Sequence, residues 1–167
     1  HATPEDNDFV RWLGAKLELA GYRVWHDLAR LKGGDYFWDK VEAAIRTESF
    51  RLVAVLSRVS ISKQGTKDEW SVAAAVERNV PGFVIPIRVD DLPFSDTPIT
   101  LHRKNIVNFA DGWHHGLVAL IDTLVEADAP KSSNPDPALI RHWLPATDVD
   151  GIVRTDTVES LDSTWLK

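Results

Sequence analysis

Apolar positions recur with helix or strand periods along most of the 167 residues. Phe9, Leu13 and Leu17 are spaced by four and give one apolar helical face. Thr3-Pro4-Glu5-Asp6 ahead of them is a helix start: Thr3 can cap, Pro4 suits the first helical position, and the two acids complement the helix dipole. Gly21 ends that helix, and Tyr22 to His26, β-branched and aromatic, reads as a short strand. After a loop from Asp27 to Gly34, Asp35 caps a helix with Phe37, Val41, Ala44 and Ile45 inward. Leu52 to Leu56 is a continuous apolar run ending at Ser57, as expected of a parallel strand buried on both faces. A polar stretch from Ser60 to Lys67 leads into a helix from about Asp68 to Glu77. Pro81-Gly82 breaks the chain before a strand at Phe83 to Ile87, and Pro86, unable to donate to a ladder, is expected near that strand's end. Asp90 to Arg103 reads as loop and Ile106 to Phe109 as a last short strand. Asp111 then caps a helix with Trp113, Leu117, Leu120 and Leu124 inward.

Strands alternating with helices predict an α/β domain with a doubly wound parallel sheet. Four strands are visible, and the chain opens at His1 with a helix and contains no Met. It is therefore read as truncated, with a first strand expected upstream, which makes the sheet five-stranded and flavodoxin-like. Ligands of such sheets bind beyond the carboxyl ends of the strands. The residues there are His1-Ala2, His26-Asp27, Ser57 and Arg88-Val89-Asp90. The main domain is placed at residues 1–128. Residues 129–140, with Lys131-Ser-Ser-Asn-Pro-Asp-Pro137, read as a linker, and residues 141–167 as the beginning of a second region too short for a core of its own.

Composition removes several classes. Apolar residues at 44% and charged residues at 26% describe a soluble globular chain. No run approaches the roughly 18 apolar residues of a membrane span. A formal charge of -6 argues against a free-standing nucleic-acid binder. The absence of cysteine excludes disulfides and thiolate metal sites and fits a cytoplasmic protein. Neither G-x-G-x-x-G nor a P-loop is present, Ser57 lacks a nucleophile elbow, and the six histidines show no ligand spacing, so no metal is expected.

Six segments in order carry a resemblance. His1-Ala-Thr-Pro-Glu-Asp6 followed by Phe9 is similar to the S-H-A-x-x-D region of TIR domains, and Gly21 to Asp27 to their second strand. Leu31-Lys-Gly-Gly-Asp35 resembles their BB loop and Phe50 to Ser57 their third strand. Asp68-Glu69-Trp70-Ser71-Val72-Ala73 resembles the segment whose Glu is catalytic in TIR NAD hydrolases, and Phe83 to Ile87 the strand after it. Arg11-Trp12-Leu13, Asp35-Tyr-Phe-Trp38 and the Glu159 to Trp165 segment look like TIR-APAZ proteins, in which the TIR domain is fused to a region that pairs with a short Argonaute.

The resemblance implies an NAD(P)+ hydrolase releasing nicotinamide and ADP-ribose, with NAD as substrate rather than cofactor and Glu69 as the catalytic carboxylate. It further implies substrate contacts from His1, Ala2, Asp27, Leu31, Lys32, Gly33 and Ser57. It implies a toxic effector of prokaryotic immunity, activated by oligomeric assembly through the TIR domains. The short Argonaute partner would hold guide RNA and target DNA. One carboxylate suffices in kind. Nicotinamide leaves as a neutral molecule from a cationic ring, so no acid is needed, and the oxocarbenium-like ribose requires only a nearby negative charge. One departure stands out: several TIR enzymes have an aromatic residue four before the Glu, where this chain has Gly65.

Structural roles compete for each residue. Thr66-Lys-Asp-Glu69 is also a capping box, with Thr66 as cap, and Asp68 and Glu77 are neighbouring carboxylates. Asp27 and Gly33 suit a turn, Lys32 a solvated surface, and His1 and Ser57 strand ends. Trp12, Trp38 and Trp113 are expected mostly in the core, and Trp70 in packing. A non-catalytic TIR adaptor mediating TIR–TIR association is the alternative function. A receiver domain is disfavoured because Ser57, not an acid, ends the third strand, and a nucleoside transferase would exchange bases on free nucleosides.

Overall fold

The computed structural model describes residues 4–25, 41–101 and 103–132. His1, Ala2, Asp27, Leu31, Lys32, Gly33, Phe37, Trp38 and the segment from 133 onward lie outside the described residues. A 3-10 turn at Pro4–Asp6 leads into helix α1 (Asn7–Leu19). Gly21, at φ +91°, closes it in a Schellman arrangement: the N–H of Tyr22 reaches the Leu17 carbonyl at 2.9 Å and that of Gly21 the Glu18 carbonyl at 3.0 Å. A π-helical turn at Ala44–Glu48 precedes strand β1 (Leu52–Leu56). Helix α2 (Gln64–Glu77), strands β2 (Val84–Arg88) and β3 (Val107–Asn108), and helix α3 (Trp113–Glu126) follow.

The described sheet is parallel, in the order β1-β2-β3, with Leu52 opposite Val84 and Ile87 opposite Val107. Two apolar layers sandwich it. On one face Phe9, Leu13 and Leu17 of α1 and Leu117, Leu120 and Leu124 of α3 meet Val55, Ile85, Ile87 and Phe109. On the other, Val41 and Ile45 join Trp70 and Ala73 of α2 against Ala54, Leu56, Phe83 and Val84. Helices on both faces of a parallel sheet make the domain doubly wound, as its alternating pattern predicts. No helix among the described residues is long and apolar enough to cross a membrane.

Four local expectations change. Tyr22 to Trp25 forms no described ladder. The Val24 N–H is instead taken by the buried Glu18 carboxylate at 2.7 Å, since a strand needs a neighbour and no described strand lies beside this segment. Pro86 stands in the middle of β2 rather than near its end. The geometry explains why it is tolerated. Phe83 accepts from Leu52 at 2.8 Å and Val89 donates to Leu56 at 3.1 Å, so alternate residues 83, 85, 87 and 89 face β1. Pro86 therefore turns its missing N–H toward the β3 side, where pairing begins only at Ile87. Asp111 accepts from the Asn108 side chain, and Gly112 takes the cap position of α3. Trp113 is 42% exposed and packs at the surface edge-to-face on Phe9 and tilted against Trp12, at centroid distances of 5.2 and 5.1 Å. The first linker residues are docked on the body: the Ser132 N–H donates to the Gly21 carbonyl at 2.7 Å, and Lys131 lies 4.9 Å from the centre of the Tyr22 ring.

Candidate active site

The carboxyl end of β1 is a closed polar knot. Ser57 and Ser60 are both buried and each hydroxyl accepts the other's backbone N–H, at 3.0 and 2.8 Å. Ser60 donates to the Val55 carbonyl at 2.9 Å, and Ser57 donates to the buried carboxylate of Asp6 at 2.8 Å. The knot fixes the exit of β1 against the start of α1. Ser57 is thus tied into the strand end, with one lone pair left for any further contact. Asp6 caps α1 without a side-chain cap bond, its carboxylate being turned to Ser57 instead. Neither Asp6 nor Ser60 stands out as a site neighbour in the sequence. The Ser57-x-x-Ser60 spacing at the end of an apolar strand was the available signal.

The ends of the other strands are cross-linked too. Asp90 accepts from the N–H groups of Arg58 at 2.8 Å and Leu92 at 3.0 Å, and Arg88 reaches Asn108 at 3.3 Å. Arg58 forms a forked pair with Asp91, at 2.7 and 3.1 Å. The guanidinium's hydrogen bond and charge hold the Asp91 carboxyl below its ordinary range. Both side chains are largely solvent-exposed, so this pair adds little to stability.

Helix α2 begins at Gln64, four residues before its expected start, with Lys63 in the cap position and no side-chain cap bond. Two contacts support the extra turn: Gln64 donates to the Asp68 carboxylate at 2.8 Å, and the Lys67 N–H reaches the Lys63 carbonyl at 3.3 Å. The capping box therefore does not form. Thr66 lies inside the first turn and Glu69 in the second. Glu69 is 5% exposed and shares the buried face of α2 with Thr66, Trp70 and Ala73, whereas Asp68 is exposed and engaged with Gln64. Five residues past Gln64, Glu69 lies about 7.5 Å along the helix from the end that follows the β1 exit, which is the ligand-binding side of such folds. Trp70 is core, as expected.

Glu77 ends the same helix in a different role. Its carboxylate accepts from the N–H groups of Val84 at 2.7 Å and Gly82 at 2.9 Å, and from Lys104 at 2.7 Å. Partial burial pushes this carboxyl up, but the Lys104 ammonium and the two N–H groups outweigh it and hold the group below its ordinary value. A cavity of about 350 Å³ lies between α2 and the 96–100 turn, lined by Lys67, Trp70, Ser71 and Pro98 among others; Glu69 and Ser57 do not line it.

A parallel sheet with helices on both faces is consistent with the TIR fold, and the TIR domain family model matches residues 1–121. The chain belongs to the TIR domain family. It is 36% identical over 87 residues to 2' cyclic ADP-D-ribose synthase AbTIR of Acinetobacter baumannii, which covers 52% of this chain and 32% of that protein. Identity to 2' cyclic ADP-D-ribose synthase BtTIR of Bacteroides thetaiotaomicron is 30% over 87 residues, again 52% of this chain and 30% of that protein. An uncharacterized protein, y4cD of Sinorhizobium fredii, is 26% identical over 99% of this chain and 26% of its own length. The chain thus spans about a quarter to a third of the curated relatives it matches.

Proposed function

We propose that this domain cleaves the bond between nicotinamide and ribose in NAD or NADP, with the Glu69 carboxylate as its catalytic group. The observation that carries the reading is the burial of Glu69 on the inward face of α2, near the helix end that follows the exit of β1. A carboxylate held away from bulk water acts strongly on a charge that develops beside it, and positive charge growing on a bound ribose is such a charge. The names of the Acinetobacter and Bacteroides relatives support the substrate class, because a cyclic ADP-ribose is an ADP-ribosyl group whose anomeric carbon has passed from a leaving group to an atom of the same molecule.

In this reading the bond from C1′ to the nicotinamide nitrogen breaks and its electron pair leaves with neutral nicotinamide. The charge left on C1′ and the ring oxygen is stabilised by Glu69. Water adding to C1′ gives ADP-ribose and a proton; capture by a nucleophile of the same molecule gives a cyclic product. His1, Ala2, Asp27, Leu31, Lys32, Gly33 and Ser57 complete the substrate contacts. The biological setting follows from the TIR-APAZ-like segments: a cytoplasmic immune effector, with TIR domains assembling on a short Argonaute partner loaded with guide RNA and target DNA. Residues 129–140 and 141–167 then lead toward the partner-binding region.

The test is Glu69→Gln in the full-length protein, followed by nicotinamide release from NAD and from NADP at protein concentrations that favour self-association. Release is expected to fall by roughly 10²–10⁴-fold, with thermal unfolding unchanged. Sustained turnover in that variant leaves the adaptor reading in its place.

A further inference from the structure

Thr66 is fully buried on the first turn of α2, and its hydroxyl has no hydrogen-bond partner among the described residues. A buried hydroxyl without a partner is unfavourable, and a helical threonine has a ready acceptor in the carbonyl four residues back. The protein uses that acceptor elsewhere. Ser71 donates to Lys67, Thr47 to Ala43 and Thr123 to Ala119, each at 2.8 Å. For Thr66, the third residue of α2, the residue four back is Ser62, which lies ahead of the helix, and as Lys63 holds the cap position Thr66 has no capping role either. Three residues separate Thr66 from Glu69, which puts the two side chains on one face with β-carbons about 5–6 Å apart. Of the two, Thr66 lies closer to the helix end that follows the exit of β1.

We propose that Thr66 is a second substrate-contacting residue of the Glu69 site, its hydroxyl bonding one hydroxyl of the ribose while the Glu69 carboxylate accepts from its neighbour. The inference rests on the reading of Glu69 given above. Glu69 is itself 5% exposed, so whatever admits a nucleotide to its carboxylate admits it to the hydroxyl one turn away. A vicinal diol suits the pair: an ionised carboxylate only accepts, whereas a threonine hydroxyl both donates and accepts. The orphaned hydroxyl is then a group reserved for ligand rather than a defect of packing.

Thr66→Val, Thr66→Ser and Glu69→Gln in the full-length protein separate the possibilities, with NAD as the probe and nicotinamide release and thermal unfolding as readouts. Thr66→Val is expected to lose roughly tenfold in kcat/KM, mostly through KM, as removal of one ligand hydrogen bond predicts. Its unfolding midpoint is expected at or above that of the wild type, because no protein bond is lost. Thr66→Ser restores the hydroxyl and should stay within about threefold of the wild type in kcat/KM. A fully active Thr66→Val beside an inactive Glu69→Gln overturns this inference and spares the reading of Glu69. A midpoint several degrees lower in Thr66→Val overturns it as well, since the hydroxyl then serves the fold. Turnover in Glu69→Gln, or a wild type silent toward both NAD and NADP, overturns the site itself.

Discussion

Removing the Glu77 carboxylate should loosen the junction that fixes the far end of the helix carrying Glu69. The acid substitutes for a strand. Val84 faces the β3 side of β2, where pairing starts only at Ile87, and its N–H, on a residue 5% exposed, is satisfied by Glu77. In Glu77→Ala that N–H is left unsatisfied, costing about 1–3 kcal/mol. The pair with Lys104, whose side chains are 20% and 24% exposed, adds no more than about 1 kcal/mol. Gly82 is exposed, so water replaces its bond. The sum is about 1–4 kcal/mol, or a drop of roughly 3–15 °C in unfolding midpoint for a domain of this size. Glu77→Gln, which keeps one carbonyl oxygen and loses the charge, should fall between the variant and the wild type.

The same junction sets a pH signature. Glu77 titrates lower in the folded chain than its ordinary value of 4.5, so its contribution is complete above that value and is lost as pH falls through the lowered folded one. Thermal unfolding of wild type and Glu77→Gln should differ most near neutrality and converge in acid. A Glu77→Ala midpoint within about 1 °C of wild type at neutral pH would refute the reasoning. A gap that widens on acidification would refute it equally.

Two further substitutions test the packing and the knot. A Cβ at Gly116 would stand 2.4–2.7 Å from the ring of the fully buried Phe109, so Gly116→Ala should destabilise by about 1–3 kcal/mol in urea unfolding despite the better helix former. Asp6→Ala leaves the Ser57 hydroxyl proton without its acceptor and should lower the unfolding free energy in urea by about 1–3 kcal/mol at constant slope, whereas Asp6→Asn, which keeps an acceptor, should recover most of it.

The layers were legible because burial on both faces writes itself as continuous apolar runs. Leu52 to Leu56 and the four-residue spacing of Phe9, Leu13 and Leu17 could satisfy no other surroundings. What was not legible depended on partners distant in sequence. Pro86 argues against a central strand until the register shows that the neighbour is absent on its side. Asp111 looks like a cap, yet it serves Asn108 while Gly112 holds the cap position. Thr66 and Glu69 spell a capping box, and only the Gln64–Asp68 contact, which starts the helix a turn early, takes that role from them. Of the site, the glutamate could be named from the Asp68–Ala73 segment, but its burial and the Asp6–Ser57 bond across 51 residues could not.

The polar groups around α2 divide by how completely they are satisfied. Ahead of the helix, Ser57, Ser60 and Asp6 bind one another and the exit of β1. At its end, Glu77 closes on Val84, Gly82 and Lys104. Both clusters sit where backbone would otherwise lack partners, and both fix the helix against the sheet. Between them lies a turn whose buried polar side chains include one hydroxyl left over, on Thr66, one turn from Glu69. Evolution of a stable helix alone would replace Thr66 with Val or Ala at no loss of any bond. On the proposal made above, that hydroxyl on the first turn of α2 is kept for a ligand. If Glu69 acts as proposed, rigid ends serve the chemistry, because a carboxylate that must meet charge developing on ribose gains nothing from a helix free to shift.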